Sequence, residues 1–561
     1  MFCKKIFSSL SVLLFVLFSA CSEKLSFEIA KDTKVAVKSA SEKDGGLLVT
    51  RFLAPVRVPG SFNESDLRLV NSKLKTPFSL EFVFENGGSP SGAFSFGFVD
   101  SSSSESEKVV GDFGGISSSK IRFSMVEKKL PSGFFIKSGV DSGKISLKSL
   151  RILPVKIGFD FSSIPSFYFS SKGGKITAEE IASKTIDFSD VEFRPNMLFR
   201  AGFSSSADST GRTATVMSVN KEKFYLRKPN GSSSIEFSPL AVKNPSGVVS
   251  FIENKEQLSS FVLVPSSKYS EPKFVESASK RYVLTPIVTD PGLIMWWPKK
   301  NWRGDDYELF VWERFPGVVI LDIADYAVQD DFFRRIAFFV EKAGFRGKLY
   351  SDSFLEDKHG YNAHDYRAES LAEFYEKVRR ENFPINEKER LLKRILIENG
   401  VLVEKPDGRV EAGKGAVISI SQQSQMYLRT QFIAHEGWHG IFFLDSDFRK
   451  TVYKFYDELD EGTKRYLIRY FQVTPSLNYD VNDPYLLRNE FMAYMLQKPV
   501  SDIAEYFLDM AGRRHSQDLA KREADYIIAT GARHFVDASR KLDEYVNGRW
   551  NLDAGRVWLV N

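Results

Sequence analysis

The run QFIAHEGWHGIFFLD, residues 431–445, places two histidines and a glutamate within five residues, in a chain that has six histidines among 561 residues. His435 and His439 are four apart, so on a helix they stand one above the other and present two imidazoles to a common point. Glu436 borders the same point. Two imidazoles and an adjacent carboxylate in this H-E-x-x-H arrangement can hold a zinc ion and take a proton from water beside it. Phe432, Ile433, Ile441, Phe442 and Leu444 make the surroundings apolar, as in a helix buried through a domain. Unpaired imidazoles would be costly there, and a metal removes that cost. The pattern therefore predicts Zn2+ on His435 and His439, with Glu436 as general base.

A catalytic zinc needs three protein ligands and one open position. Downstream lies NDPYLLRNEFMAYMLQKP, residues 482–499. Asp483 followed by Pro484 reads as a helix start, and Pro499 stops the helix after about Gln497. Glu490, Ala493, Tyr494 and Gln497 share one face of it. The segment NEFMAY resembles the N-E-x-x-A-Y of gluzincins, the thermolysin-like zinc peptidases. That resemblance covers this segment and the H-E-x-x-H, and implies Glu490 as the third ligand. Where such enzymes often carry an acidic residue four positions after the glutamate, this chain has Tyr494. A second carboxylate, Asp445, stands ten residues after His435, where the metzincin pattern places its third ligand. That pattern needs a glycine at 442 to break the helix, and residue 442 is Phe. The geometric requirement favours Glu490 over Asp445. His364, His515, His534 or a tyrosine are the candidates for stabilising an oxyanion.

These residues need a scaffold. ELFVWERFPGVVILDIADYA reads as one or two buried strands, and DDFFRRIAFFVEKAG as a helix with an acidic first turn and Gly344 at its end. Two helices follow near 367–381 and 386–399, with His364 and Asp365 in a loop ahead of the first. GAVISISQQ, residues 415–423, is a strand by alternation, and the H-E-x-x-H helix runs from about 425 to 444. A strand just ahead of this helix resembles the zincin plan, in which an edge strand pairs with an extended peptide.

The rest of the chain has another character. All six histidines follow residue 358 and all seven tryptophans follow residue 295. The first part is rich in Ser, Gly and Phe, with alternating runs such as FSLEFVFENG and GAFSFGFVD separated by DSSSSESEK and NGSSS. Alternation punctuated by turn signals predicts antiparallel β-sandwich modules. The expected division is a signal peptide at 1–20, a jelly-roll-like β-sandwich at 21–165, a second β-rich module at 166–285 and an α+β zincin-like domain at 286–561. The first module faintly resembles carbohydrate-binding jelly rolls, which implies a carbohydrate ligand; a spacer is the alternative role.

The N-terminus reads MFCKKIFSSLSVLLFVLFSACSEK. Lys4 and Lys5, a short apolar run and the small residues Ser19 and Ala20 form a secretory leader too short to span a membrane. FSAC resembles a bacterial lipobox, with Phe18 in place of the usual Leu, which implies acylation of Cys21 and a lipid anchor in the cell envelope. After cleavage Cys21 is the only cysteine, so the mature fold has no internal disulfide and no cysteine-ligated metal. The net charge of +5 is not gathered into one basic run, and no nucleic-acid signature is present. The sequence thus reads as a membrane-anchored zinc metallopeptidase acting on protein or peptide substrates, peptidoglycan peptides among them. The alternative is a surface-binding lipoprotein, adhesin or carbohydrate-binding, whose metal site is structural or relict.

Overall fold

The computed structural model describes strands and connecting segments between residues 36 and 277, and every residue from 279 to 561; strands before residue 157 are described by backbone alone. Residues 1–35 lie outside it, and Cys21 and the leader with them. The chain falls into two compact units. One holds residues up to 192 with 246–250 and 259–265; the other holds 193–245, 251–258 and 266–561. The stretch 166–285 is thereby divided between them.

The elements described in the first unit are β-strands, as the alternating runs predict. Phe78–Asn86 lies antiparallel between Lys120–Glu127 and Ile145–Pro154. Ala93–Val99 lies antiparallel between Glu105–Asp112 and Gly133–Ser138. Two short strands depart from this pattern: Ser166–Phe169 and Lys175–Ile176 pair in parallel with Lys120–Glu127 and Glu105–Asp112.

The second unit carries the site. Its central sheet has strands β1 (Ile287–Thr289), β2 (Tyr307–Trp312), β3 (Val318–Ile323), β4 (His364–Arg367) and β5 (Ala416–Ser421), in the order β1–β2–β3–β5–β4. β3 and β5 run parallel, and β4 runs antiparallel to β5 with Asp365 opposite Ile418. Every residue of β3 and β5 is buried, which explains the continuous apolar reading of β3; in β5 the alternating Ser419 and Ser421 are buried as well. Helices α1 (Tyr326–Val340), α2 (Ala368–Arg380) and α3 (Glu387–Glu398) follow where the periodicity places them. α1 begins earlier than its acidic pair suggests. Its cap is Asp325, which accepts from Val328 N, so Asp330 and Asp331 fall in its second turn.

The expectation about the sheet edge is corrected. The strand just ahead of the H-E-x-x-H helix is interior, flanked by β3 and β4. The edge is β4, which the sequence presents as a loop. Its four residues are too few to show a period, and their pairing partner lies more than fifty residues on.

Helix α4 (Met426–Leu444) crosses the sheet, with Ile433, Ala434, Trp438, Ile441 and Phe442 fully buried. Two glycines let it approach closely: a Cβ on Gly440 would stand 3.0 Å from both Val318 methyls, and one on Gly437 3.0 Å from Val557. Its first turn is fixed by Arg429, whose guanidinium binds both oxygens of Asp322 on β3 at 2.9 and 3.1 Å. α5 (Ser446–Asp457) follows at once. Then come α6 (Pro484–Leu496), capped by Asp483 with Pro484 at its first position, and the long α7 (Arg533–Trp550). Trp438 Nε1 donates to Leu496 O at 2.9 Å, tying α4 to the end of α6. The last residues of the chain run beside Glu222–Leu226, through Tyr225 N to Asn561 O and Arg227 N to Leu559 O. Among the described residues no helix is long and apolar enough to cross a membrane.

Candidate metal centre

The i, i+4 spacing on α4 does what helical geometry requires. The rings of His435 and His439 stand edge to face with centroids 4.7 Å apart. α6 crosses beside them and brings Glu490 between the two. His435 Nε2 is 3.7 Å from Glu490 Oε2, and His439 Nε2 is 3.6 Å from Glu490 Oε1. These separations exceed a hydrogen bond but match a shared ion. Two ligands about 2.1 Å from a tetrahedral zinc lie about 3.4 Å from each other.

The donor set fits zinc by chemistry as well as by distance, since two imidazoles and one carboxylate make a catalytic zinc triad. The polar atoms are costly as they stand. Both nitrogens of His439, Glu490 Oε2 and Glu436 Oε2 are buried with no hydrogen-bond partner. A native core leaves few such groups unpaired, and a cation would satisfy them together. His439 is sealed, whereas the His435 side chain retains 13% exposure.

The electrostatics add to this. Glu341, which caps the C-terminal end of α1, Asp365 on β4, Glu436 and Glu490 form a buried cluster of acids. Burial raises Glu436 to about 7, and the Glu490 charge adds to the rise. Burial also lifts Glu341 and Asp365 well above the carboxylate range, followed in each case by their acidic neighbours. Burial works against Glu490 too, but His439, His435 and Tyr479 outweigh it and hold Glu490 ionised. Burial, with the His435 charge adding to it, takes His439 down to about 4 against the pull of Glu490. For His435, burial is outweighed by Glu490 and Glu436, and its pKa rises. Lys342 and Arg346 lower the Glu341 pKa, but burial and the neighbouring acids outweigh them, so a divalent ion would stabilise the site.

The other expected residues separate clearly. Asp445 does not join the cluster. It ends α4, caps α5 by accepting from Phe448 N at 2.7 Å, and pairs with Arg549 at 2.7 Å. His364 turns to the opposite face of the sheet, stacks on Phe333 and meets Ser419 Oγ at 3.2 Å, a buried core histidine. His515 lies 3.4 Å from Thr474 Oγ1, and His534 sits beside Arg533 on α7. Tyr494 does not take the place of the missing acid as a hydrogen-bond partner; its ring packs edge-on against His435 at 5.5 Å.

The partner that orients His435 is Gln497, whose Oε1 lies 3.0 Å from Nδ1. It shares the Glu490 face of α6, so helical spacing could have singled it out. Asp365, with Oδ2 3.6 Å from His439 Nδ1, had no such signal, because only the pairing of β4 with β5 brings it there. Comparisons of the chain with protein-family models, with curated proteins and with solved structures gave no match.

Proposed function

We propose that the second unit is a zinc-dependent hydrolase, a metallopeptidase of the zincin kind, with His435, His439 and Glu490 as metal ligands and Glu436 as general base. The observation that carries this reading is the convergence of three buried or half-buried donor groups from two helices, with His435 Nε2 and His439 Nε2 at 3.7 and 3.6 Å from the two oxygens of Glu490. Bound zinc would supply Lewis acidity, polarising an acyl oxygen and bringing the pKa of water to about 7. Glu436 stands beside that point with a free buried oxygen, suited to accept a proton and return it to a leaving amine. Gln497 and the helix packing hold the imidazoles in place. A peptide substrate is favoured by β4, which among the described residues pairs on one side only and could take an extended chain as a further strand. Peptides of a cell-wall cross-link belong to the same chemical class.

The proposal also takes in the lipid anchor at Cys21, and a β-sandwich architecture with a carbohydrate ligand for the first unit, on sequence grounds. Detergent partitioning of wild type and Cys21→Ala tests the anchor; two equally aqueous proteins would remove it.

The test of the function is hydrolysis of an unstructured protein substrate, with metal content measured on the same sample. Zinc should be present near one equivalent, a chelator should stop turnover, and Glu436→Gln should lower turnover by roughly 10²–10⁴-fold while keeping its zinc. Chelator-resistant hydrolysis, or a protein that binds no zinc, would overturn the reading.

A further inference from the structure

We propose that Asp365 is a positioning residue of the metal centre: its carboxylate, held on edge strand β4, accepts a hydrogen bond from Nδ1–H of His439 and so presents the Nε2 lone pair toward Glu490. The proposal rests on the metal reading above and adds a residue to it that neither helical motif contains. Asp365 Oδ2 is 3.6 Å from His439 Nδ1, and Glu490 Oε1 is 3.6 Å from Nε2 of the same ring. The imidazole thus has a carboxylate at each end, is fully buried, and makes no hydrogen bond at either nitrogen.

A neutral imidazole has one proton to place. On Nε2 it blocks the lone pair that would face the ion, and on Nδ1 it leaves that lone pair free. Burial and its acidic neighbours favour the neutral form of Asp365, and a cation at Nε2 opposes them; the Asp365 carboxylate then selects the Nδ1–H tautomer, and the cation makes that N–H a stronger donor. A charge-assisted bond has a length of about 2.8 Å, so a side-chain shift of under about 1 Å closes the gap.

The sheet explains why Asp365 can do this. Its neighbours His364 and Tyr366 both turn to Phe333 on α1, so strand alternation sends Asp365 to the α4 face. Its backbone is held opposite Ile418 of the buried strand β5. A ligand supported from a sheet is held more precisely than one supported from a loop. The donor atoms of Asp365, Glu436 and His439 lie within 4.8 Å of one another, so the same carboxylate also borders the general base. The competing partner for His439 is Asn489, which also favours its protonated form.

The test is zinc affinity of the full-length protein, by competition with a chromogenic chelator, for wild type, Asp365→Ala, Asp365→Asn and Asn489→Ala. Asp365→Ala should bind zinc roughly 10–100-fold more weakly. Asp365→Asn keeps an acceptor oxygen and should recover part of the loss, and Asn489→Ala should lose less than Asp365→Ala. In the cobalt-loaded protein the exchangeable imidazole N–H resonance of His439 should vanish in Asp365→Ala. It should move in Asp365→Asn, where a neutral acceptor replaces a charged one. Undiminished affinity in Asp365→Ala, or a loss confined to Asn489→Ala, overturns the proposal. An unmoved resonance in Asp365→Asn overturns it even if the alanine variant does not fold. If wild type takes up neither metal, the metal reading itself fails and this inference falls with it.

Discussion

Gln497 Oε1 lies 3.0 Å from His435 Nδ1, and Gln497 Nε2 donates to the Tyr506 hydroxyl at 3.0 Å. With the amide placed this way its oxygen faces the imidazole and accepts from Nδ1–H. That leaves His435 Nε2 as the ring's free lone pair, on the side of Glu490. Gln497→Leu should therefore weaken zinc binding roughly 10–100-fold with little change in thermal stability. Gln497→Glu, which keeps an acceptor in place, should bind close to wild type. A chelator titration decides it; equal affinity in the leucine variant would remove Gln497 from the site.

Glu490 and Asp445 make opposite demands on the metal. Glu490→Ala removes the carboxylate that stands between the two imidazoles and should lose zinc on dialysis. Asp445→Ala should keep zinc and lose about 1 kcal/mol of stability as a helix cap. Its pair with Arg549 is partly exposed and adds little. Metal analysis after dialysis, beside urea melts, separates the two, and zinc loss in the Asp445 variant would reverse the assignment.

The Arg429–Asp322 pair should be the most sensitive support of the α4 helix. Both side chains are buried, at 3% and 0% exposure, and the pair is bidentate. Burial raises the Asp322 pKa despite Arg429, so Asp322 depends on this partner to stay charged. Arg429→Ala leaves a buried acid unpaired and should cost about 3–5 kcal/mol. The double variant Arg429→Met with Asp322→Leu should cost less than the single change, as denaturant melts would show. A larger loss in the double variant would contradict this.

Asp290 gives the second unit a pH dependence. It is buried, accepts from Gly292 N at 2.9 Å and Leu559 N at 2.9 Å, and so ties the chain's last segment to residues 290–292. Burial raises its pKa from 3.8 to about 6. The folded state then binds the proton more tightly than the unfolded chain does. Its contribution is fully present below pH 3.8, declines as pH rises through about 6, and is flat above that. The whole effect is at most about 3 kcal/mol. Asp290→Asn should flatten this slope, and its loss of stability relative to wild type should be largest below pH 3.8, where Asp290 is protonated in both states. Denaturant melts at several pH values between 4 and 8 test it; an unchanged slope would point to other groups.

The local pattern of residues was enough for the helices of the centre. His435 and His439 face one point because 3.6 residues make a turn, and Asp483-Pro484 starts the helix that carries Glu490. The buried strand β3 was legible because a strand covered on both faces reads as continuous apolar sequence, and β5 because AVISIS alternates apolar and polar residues. What pairs across the chain was not. The sequence places Asp365 in a loop, and its position beside His439 depends on β4 lying antiparallel to β5. Asp445 and Glu490 are both carboxylates at a spacing that suits a metal, and only the packing of α6 on α4 brings Glu490 to the imidazoles while Arg549 and the α5 cap hold Asp445 elsewhere. Helical period is a property of neighbours along the chain; strand order and helix crossing come from burying surfaces that are far apart in sequence, and no local spacing records them.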